Sequence, residues 1–263
     1  MPHSKIKLYA IKLLNNELRQ DLEGKSFVND KTSGLLKNKT KIKVNIVARE
    51  ELILCGIKFI EKFISQLDQK IYFQTNFSDG DFVKSKETIA IISGEAKKIL
   101  PIERTILNFL QHLSSISSTT HDLVKMIHKT KIKLLDTRKT ITGLRIIQKY
   151  ATHIGGAFNH RMSLYDDILI KDNHIKVLGG IKKTLKHIKE KKIKKYKIEC
   201  DTYEQVKLCI ESDAKYILLD NMSINDIKKS INFKKNKNIK FEITGGINEK
   251  NILRYAKLKV DYI

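Results

Sequence analysis

The sequence predicts an α/β fold in which about six β/α units follow a smaller α+β domain, the unit count favouring a barrel. Three observations carry this expectation. From residue 131 onward the chain repeats one phrase: a short apolar run, a polar or charged end, then a segment with apolar residues three or four apart. Strands that alternate with helices imply parallel β/α units. Before residue 101 the runs lie closer together and are joined by turn residues, as in antiparallel strands. Between the two halves stands Pro101, directly ahead of a long helical stripe. The expected division is residues 1–104 for the N-terminal domain and 105–263 for the barrel domain. Periodicity alone leaves an open parallel sheet standing beside the barrel.

The elements follow in order. The start, MPHSKIKLYAIKLL, is basic and lacks a continuous apolar stretch and a small-residue cleavage site, so it is not read as a signal peptide. KIKVNIVAREELILCG (41–56) and KIYFQTNFSDGDFVKSKETIAIISGE (70–95) read as antiparallel strands, with a turn at Ser78-Asp79-Gly80-Asp81. IKFIEKFISQL (57–67) between them is an amphipathic helix. In PIERTILNFLQHLSSISSTTHDLVKMIHKT (101–130), Ile106, Leu110, Leu113 and Ile116 form one helical stripe. The later strands are KIKLLDT (131–137), DILIKDN (167–173), YKIECD (196–201), YILLDN (216–221), IKFEITGG (239–246) and VDYI (260–263). Leu144, Ile147 and Tyr150, then Val206 and Ile210, then Ile252 and Tyr255, mark helices between them.

Composition excludes several classes. Hydrophobic residues make up 41% of the chain, enough for a sizeable core. No apolar run in the chain approaches the roughly 18 residues that a membrane helix needs. Cys55, Cys200 and Cys209 are scattered and contain no CxxC. That fits a reducing, cytoplasmic setting and neither a zinc site nor a disulfide framework. The net charge is +22, spread through segments such as KEKKIKKYK (189–197) and KKNKNIK (234–240). No helix-turn-helix, zinc-finger or aromatic RNA-binding motif accompanies it, so no specific nucleic-acid partner is expected. An anionic small molecule accounts for part of the charge.

The strand ends carry the chemistry. In parallel barrels the active site forms at the C-terminal ends of the strands. Here those ends hold Arg138 and Lys139, Lys171 with Asp172 and His174, Glu199 and Asp201, Asp220 and Asn221, and Thr244-Gly245-Gly246. Arg138 and Lys139 precede a helix, where cations oppose the helix dipole. Arg104 stands at a helix start in the same way. A bound anion resolves both oddities, as the Arg fork grips carboxylates and phosphates and Lys supplies a point charge. His160 and Arg161 follow the Gly155-Gly156 loop and add to the basin. Glu199 and Asp220, on different strands, suit Mg²⁺ held partly by substrate phosphates. Gly245-Gly246 lets a phosphate approach backbone N–H groups.

These residues, in order and spacing, resemble the quinolinate phosphoribosyltransferase family. The resemblance rests on ERTILNFLQHLSSIS, LLDTRKTITGLR with KYA downstream, GGAFNHRMSL, ILIKDNHI, IECDTYEQV, ILLDNMS and FEITGGI, and covers roughly residues 41–263. It implies an N-terminal open sandwich joined to an incomplete α/β barrel. It also implies a homodimer, in some members a hexamer, that makes nicotinate mononucleotide, pyrophosphate and CO₂ from quinolinate and phosphoribosyl pyrophosphate with Mg²⁺, in NAD biosynthesis. By resemblance, Arg138, His160 and Arg161 grip the quinolinate carboxylates, and Lys139 and Lys171 line the same site. Glu199 and Asp220 serve the ribose and metal-pyrophosphate, Thr244, Gly245 and Gly246 hold the 5′-phosphate, and Arg104 enters the partner's site. The catalytic set is then Lys139, Glu199 and Asp220, the last two also the metal carboxylates. Three departures stand out. Ile141-Thr142 replaces the family's Thr-Pro, Ala157 replaces a glycine, and relatives are expected to continue past Ile263. The competing readings are a paralogous pyridine-carboxylate phosphoribosyltransferase and an inactive homologue acting as a scaffold or basic binding protein.

Overall fold

The computed structural model of the chain describes residues 3–24, 26–234 and 238–263. Part of the basic run 234–240 therefore lies outside the described residues. The chain forms two compact units, one of residues 1–122 and 139–157, the other of 123–138 and 158–263.

The first unit contains α1 (His3–Asp21), β1 (Lys41–Val47), β2 (Leu52–Ile53), α2 (Ile57–Leu67), β3 (Tyr72–Gln74), β4 (Phe82–Val83), β5 (Thr88–Glu95), α3 (Ala96–Ile99), most of α4 (Glu103–Ile127) and α5 (Arg145–Ile154). β1, β5 and β3 form an antiparallel sheet in that order, and β2 pairs with β4. The turn at 78–81 is present, closed by the Asp81 N–H on the Ser78 carbonyl at 3.1 Å. α2 buries Ile57, Phe59, Ile60, Phe63 and Ile64, the helical spacing of one face. Phe59 meets Tyr150 of α5 edge-on at 5.1 Å, a favoured geometry for aromatic pairs.

Two polar devices hold this unit together. Asp79 accepts the N–H groups of Gly56 and Ile57 at 2.7 and 2.9 Å, satisfying donors at the α2 start. Its other oxygen takes the Tyr150 hydroxyl at 2.6 Å, which ties α5 to α2. Hydroxyls on α4 substitute for a strand partner beside β2. Ser118 and Ser114 accept the N–H groups of Ile53 and Cys55 at 2.8 and 3.1 Å, and Ser117 donates to the Ile53 carbonyl at 2.6 Å.

The boundary between the units falls inside α4, at 122/123, rather than at the expected 104/105. The apolar stripe of α4 continues unbroken past residue 104. Residues 139–157 return to the first unit because Ile147, Tyr150 and Ala151 of α5 join its core.

The second unit contains β6 (Leu169–Ile170), α6 (Asp172–Val177), α7 (Ile181–Glu190), β7 (Lys197–Cys200), α8 (Tyr203–Glu211), β8 (Tyr216–Asp220), α9 (Ile224–Lys234), β9 (Lys240–Thr244) and α10 (Ile252–Ala256). β6, β7, β8 and β9 form a parallel sheet in chain order. The runs at 131–137 and 260–263 do not form ladders, contrary to the expectation of two full strands. They extend the sheet by single parallel bridges, Glu242 with Tyr262 and Lys133 with Tyr262, and Leu135 bridges Phe158 in turn. Main-chain bonds still run through them: Ile243 N–H to the Tyr262 carbonyl at 2.9 Å, and Leu135 N–H to the Ile263 carbonyl at 2.8 Å. The result is an incomplete barrel wall of strands and bridged segments. Among the described residues no helix is long and apolar enough to cross a membrane.

Side chains alternate across this sheet with period two. Ile198, Cys200, Ile217, Leu219, Phe241 and Ile243 enter the buried core of the unit together with Val206, Cys209, Ile210 and Ile227 of the helices. Lys197, Glu199, Tyr216, Asp220, Glu242 and Thr244 take the opposite parity.

Candidate active site

The sheet brings the C-terminal ends of β6 to β9 side by side. Lys171 directly follows β6, Glu199 lies near the end of β7, Asp220 ends β8, and Thr244 ends β9 opposite Asp220. Lys171 Nζ and Glu199 Oε1 are 3.5 Å apart. Burial pushes the Glu199 carboxyl above its ordinary value; the Lys171 charge opposes that shift and the Asp220 charge adds to it. Glu199 and Asp220 are thus two carboxylates on neighbouring strands that feel each other.

His160 and Arg161 reach the same face from the segment bridged to Leu135. Asp136 organises that segment: it accepts the His160 N–H at 2.8 Å and the Asn159 amide at 2.6 Å. The Arg161 guanidinium donates to the Asp167 carbonyl at 2.9 Å, while its Nε is buried with no hydrogen-bond partner. Burial lowers the Arg161 pKa, and the nearby Arg138 charge lowers it further, against Asp167, Glu199 and Asp166. Guanidinium stays charged in proteins, so Arg138 and the partly buried Arg161 are two like charges that act on each other.

Beneath the strand ends lies a polar layer that the motifs did not reveal. The His160 ring, with 8% of the side chain exposed, has Nε2 3.6 Å from the Glu242 carboxylate and 3.3 Å from Lys197 Nζ. Tyr216 donates to Glu242 at 2.8 Å, and Lys197 also pairs with Asp167 at 3.3 Å. Lys197 stands 4.6 Å over the Tyr216 ring, close enough for a cation–π attraction. The Tyr216 ring in turn stacks on Tyr262 at 5.5 Å. Burial raises the Glu242 carboxyl, and the Tyr216 hydroxyl and Lys197 draw it back. The available signal was parity: Lys197 and Glu199, Tyr216 and Asp220, and Glu242 and Thr244 lie an even number of residues apart, so each pair shares a face.

The glycine pair closes the row. Gly245 and Gly246 have φ of +85° and +65°. A Cβ at Gly245 would overlap the Asn221 side-chain amide, so only glycine fits beside it. Asn251 donates to the Gly246 carbonyl at 2.8 Å and holds the turn from below. Asn251 is a further residue of this loop that the motifs did not single out.

The structure therefore gathers Arg138, His160, Arg161, Lys171, Glu199, Asp220, Thr244, Gly245 and Gly246 on the second unit. Lys139 and Arg104 belong to the first. Lys139 is exposed and opens the segment that runs into α5. Arg104 is exposed at the second residue of α4, lining a cleft with Asp21, Glu23 and Asp30. Ala157, where a glycine was expected, does not have a positive φ, so alanine is accommodated there.

The donors present bear on a metal ion. Among the described residues no group of three or more His, Cys, Asp or Glu side chains is placed to hold one. The Glu199–Asp220 pair fits a hard cation that keeps waters and takes only one or two protein carboxylates.

Known proteins match this architecture throughout. Residues 30–114 match the family model of the quinolinate phosphoribosyl transferase N-terminal domain, and residues 116–263 that of the C-terminal domain. A probable nicotinate-nucleotide pyrophosphorylase (carboxylating) of Methanocaldococcus jannaschii is 36% identical over 98% of this chain and 92% of its own length. One from Bacillus subtilis is 34% identical over 100% of this chain and 89% of its own. The solved nicotinate-nucleotide pyrophosphorylase of Francisella tularensis superposes with a TM-score of 0.89 at 37% identity, covering 98% of this chain and 90% of the other. With both domain models matched and such relatives aligned along nearly its full length, the chain belongs to the quinolinate phosphoribosyl transferase family.

Proposed function

We propose that this chain transfers the phosphoribosyl group of phosphoribosyl pyrophosphate to quinolinate with decarboxylation, giving nicotinate mononucleotide, pyrophosphate and CO₂ for NAD biosynthesis. The observation that carries the reading is the Arg138–Arg161 pair, with a buried, unbonded Arg161 Nε, beside the Glu199–Asp220 carboxylates. Two close arginines suit a dicarboxylate better than a ligand with one carboxylate, which separates quinolinate from simpler pyridine carboxylates.

In this reading Arg138, Arg161 and His160 bind the two carboxylates of quinolinate and orient its ring nitrogen. The nitrogen forms a bond to the ribosyl carbon as the carbon–oxygen bond to pyrophosphate breaks, the electron pair leaving with pyrophosphate. Positive charge grows on the ribosyl carbon, and Glu199 and Asp220 stabilise it. Lys171, ion-paired with Glu199, lines the quinolinate site and adds positive charge to it. The N–H groups of the Thr244–Gly246 turn receive the 5′-phosphate. The bond from the ring to its 2-carboxylate then breaks, CO₂ departs, and the electron pair left on the ring carbon takes up a proton from water; Lys139, next in chain to Arg138, stabilises that developing negative charge. Glu199 and Asp220 are the residues that would hold Mg²⁺, which when bound would supply charge neutralisation for the departing pyrophosphate. The working form is a homodimer in which Arg104 contributes to the partner's site. The three buried free thiols, Cys55, Cys200 and Cys209, support a reducing, cytoplasmic setting.

The test is release of CO₂ from carboxyl-labelled quinolinate by the purified chain, with and without phosphoribosyl pyrophosphate and Mg²⁺. Release that requires both is expected. Turnover of nicotinate instead of quinolinate, or no turnover of either, overturns the reading.

A further inference from the structure

Lys139 opens a loop, residues 139–144, that lacks the turn proline of the family pattern. Its geometry is nonetheless fixed. The Leu144 N–H meets the Ile141 carbonyl at 3.0 Å, and Gly143 has φ of +83°. This is a turn of the type that needs a positive φ at its third residue. Side chains from neighbouring helices fasten the loop. Arg145 Nε donates to the Thr140 hydroxyl at 3.3 Å, and the Tyr9 hydroxyl of α1 donates to the Gly143 carbonyl. Gln148 of α5 accepts the Ile141 N–H on Oε1 at 3.0 Å.

Gln148 differs from the other two fasteners. It is 9% exposed, and it stands on a helix that Tyr150 and Asp79 anchor to the core of the unit. Its orientation is also determined. The Ile141 N–H can only donate, so the oxygen of the Gln148 amide faces the loop. The amide nitrogen then faces His112 Nε2 on α4 at 3.1 Å. That ring nitrogen must accept, which assigns the His112 ring its proton on Nδ1. A chain of directed bonds thus runs from α4 through α5 to the loop that bears Lys139.

We propose that Gln148, oriented by His112, is the positioning residue that aims Lys139. It touches no reacting atom and acts through the backbone of the loop. The role of Lys139 rests on the function proposed above; the clamp rests on geometry alone. Displacing a catalytic group by about 1 Å costs up to roughly 100-fold in rate, so a loosened loop should show in kcat.

The test compares Gln148→Leu, Gln148→Glu and His112→Phe with wild type. Three quantities are measured: kcat, KM for each substrate, and hydrogen exchange of the Ile141 amide. Gln148→Leu removes both bonds; Ile141 exchange should quicken about tenfold and kcat fall roughly 10- to 100-fold, with both KM values changed less than about threefold. Gln148→Glu keeps an acceptor for Ile141 and should retain Ile141 protection and most of kcat. His112→Phe, which leaves the amide unoriented, should give an intermediate loss. Unchanged Ile141 exchange in Gln148→Leu overturns the proposal, as does an equal kcat loss in Gln148→Leu and Gln148→Glu. If Gln148→Leu does not fold, His112→Phe decides by the same readouts, and its unchanged exchange and kcat overturn the proposal. A wild-type chain without quinolinate turnover overturns the functional reading instead, and Ile141 exchange then decides the clamp by itself.

Discussion

On one face of the β6–β9 sheet, Ile198, Cys200, Ile217, Leu219, Phe241 and Ile243 are at most 2% exposed and pack under the helices. On the other, Lys197, Glu199, Tyr216, Asp220, Glu242 and Thr244 make ion pairs, hydrogen bonds and strand-end contacts. The same strands supply both sets, because successive side chains point to opposite faces. The difference teaches how the fold divides its labour. Apolar burial on one face holds the strands in register, so the other can keep charges that destabilise it.

Changes on the two faces should therefore have opposite signatures. The largest effect on stability is expected from Phe241→Ala, which removes a fully buried ring. It should cost about 3–5 kcal/mol in denaturant unfolding, with kcat per folded molecule retained. A loss of activity without loss of stability would erase the distinction between the faces. On the polar side, Arg161→Leu should raise the KM for quinolinate roughly 10- to 100-fold, the worth of a charge-assisted bond. Its Tm should change little, because Arg161 is only partly buried and its removal relieves the repulsion from Arg138. A clear fall in Tm would show that Arg161 serves structure.

Glu199→Gln sharpens the comparison through pH. The folded state raises the Glu199 pKa above its unfolded value. The contribution of that carboxyl to stability is then complete below the unfolded value and is lost as pH rises through the folded one. At neutral pH the Gln variant should be the more stable protein, although its turnover is lost. Thermal melts across pH should show that advantage shrinking as pH falls toward the ordinary glutamate value of about 4.3. A constant difference across pH would mean that the carboxyl carries no such strain. The smallest effect is expected from Thr142→Pro. Thr142 occupies the second position of the Ile141–Leu144 turn, where proline fits. The gain should be about 0.4–1 kcal/mol, through a less flexible unfolded chain. Destabilisation in a melt would show that the Thr142 backbone departs from the proline φ.

Much of the fold was legible in the order of the residues alone. α2 was readable to its ends because Ile57, Phe59, Ile60, Phe63 and Ile64 repeat with helical spacing. The strand-end chemistry was readable because Lys171, Glu199, Asp220 and Thr244 each interrupt an apolar run where it stops. The layer of Lys197, Tyr216 and Glu242 was not, since a charge inside a strand looks like a solvated edge until the partner strand is known. α1 was given no element, because its buried stripe of Ala10, Ile11, Leu14 and Leu18 is thin among lysines. The runs 131–137 and 260–263 read as strands because propensity marks extended chain. Whether an extended segment forms a ladder or a single bridge depends on neighbours that propensity does not contain. The point inside α4 where the two compact units part, at 122/123, carries no mark in the sequence. A helix stripe reports that α4 is buried on one side, not which unit does the burying.

The contact between Gly245 and Asn221 has a consequence for how this loop can change. The two residues directly follow neighbouring strands, and the side chain of one occupies the space that a side chain on the other would need. Neither position is independent of the other. A side chain at 245 would meet the Asn221 amide and would also have to adopt a φ of +85°, so shortening Asn221 removes the overlap but leaves the backbone strain. Any variant library aimed at this loop should therefore keep Gly245 and vary the residues around it, Asn221 included.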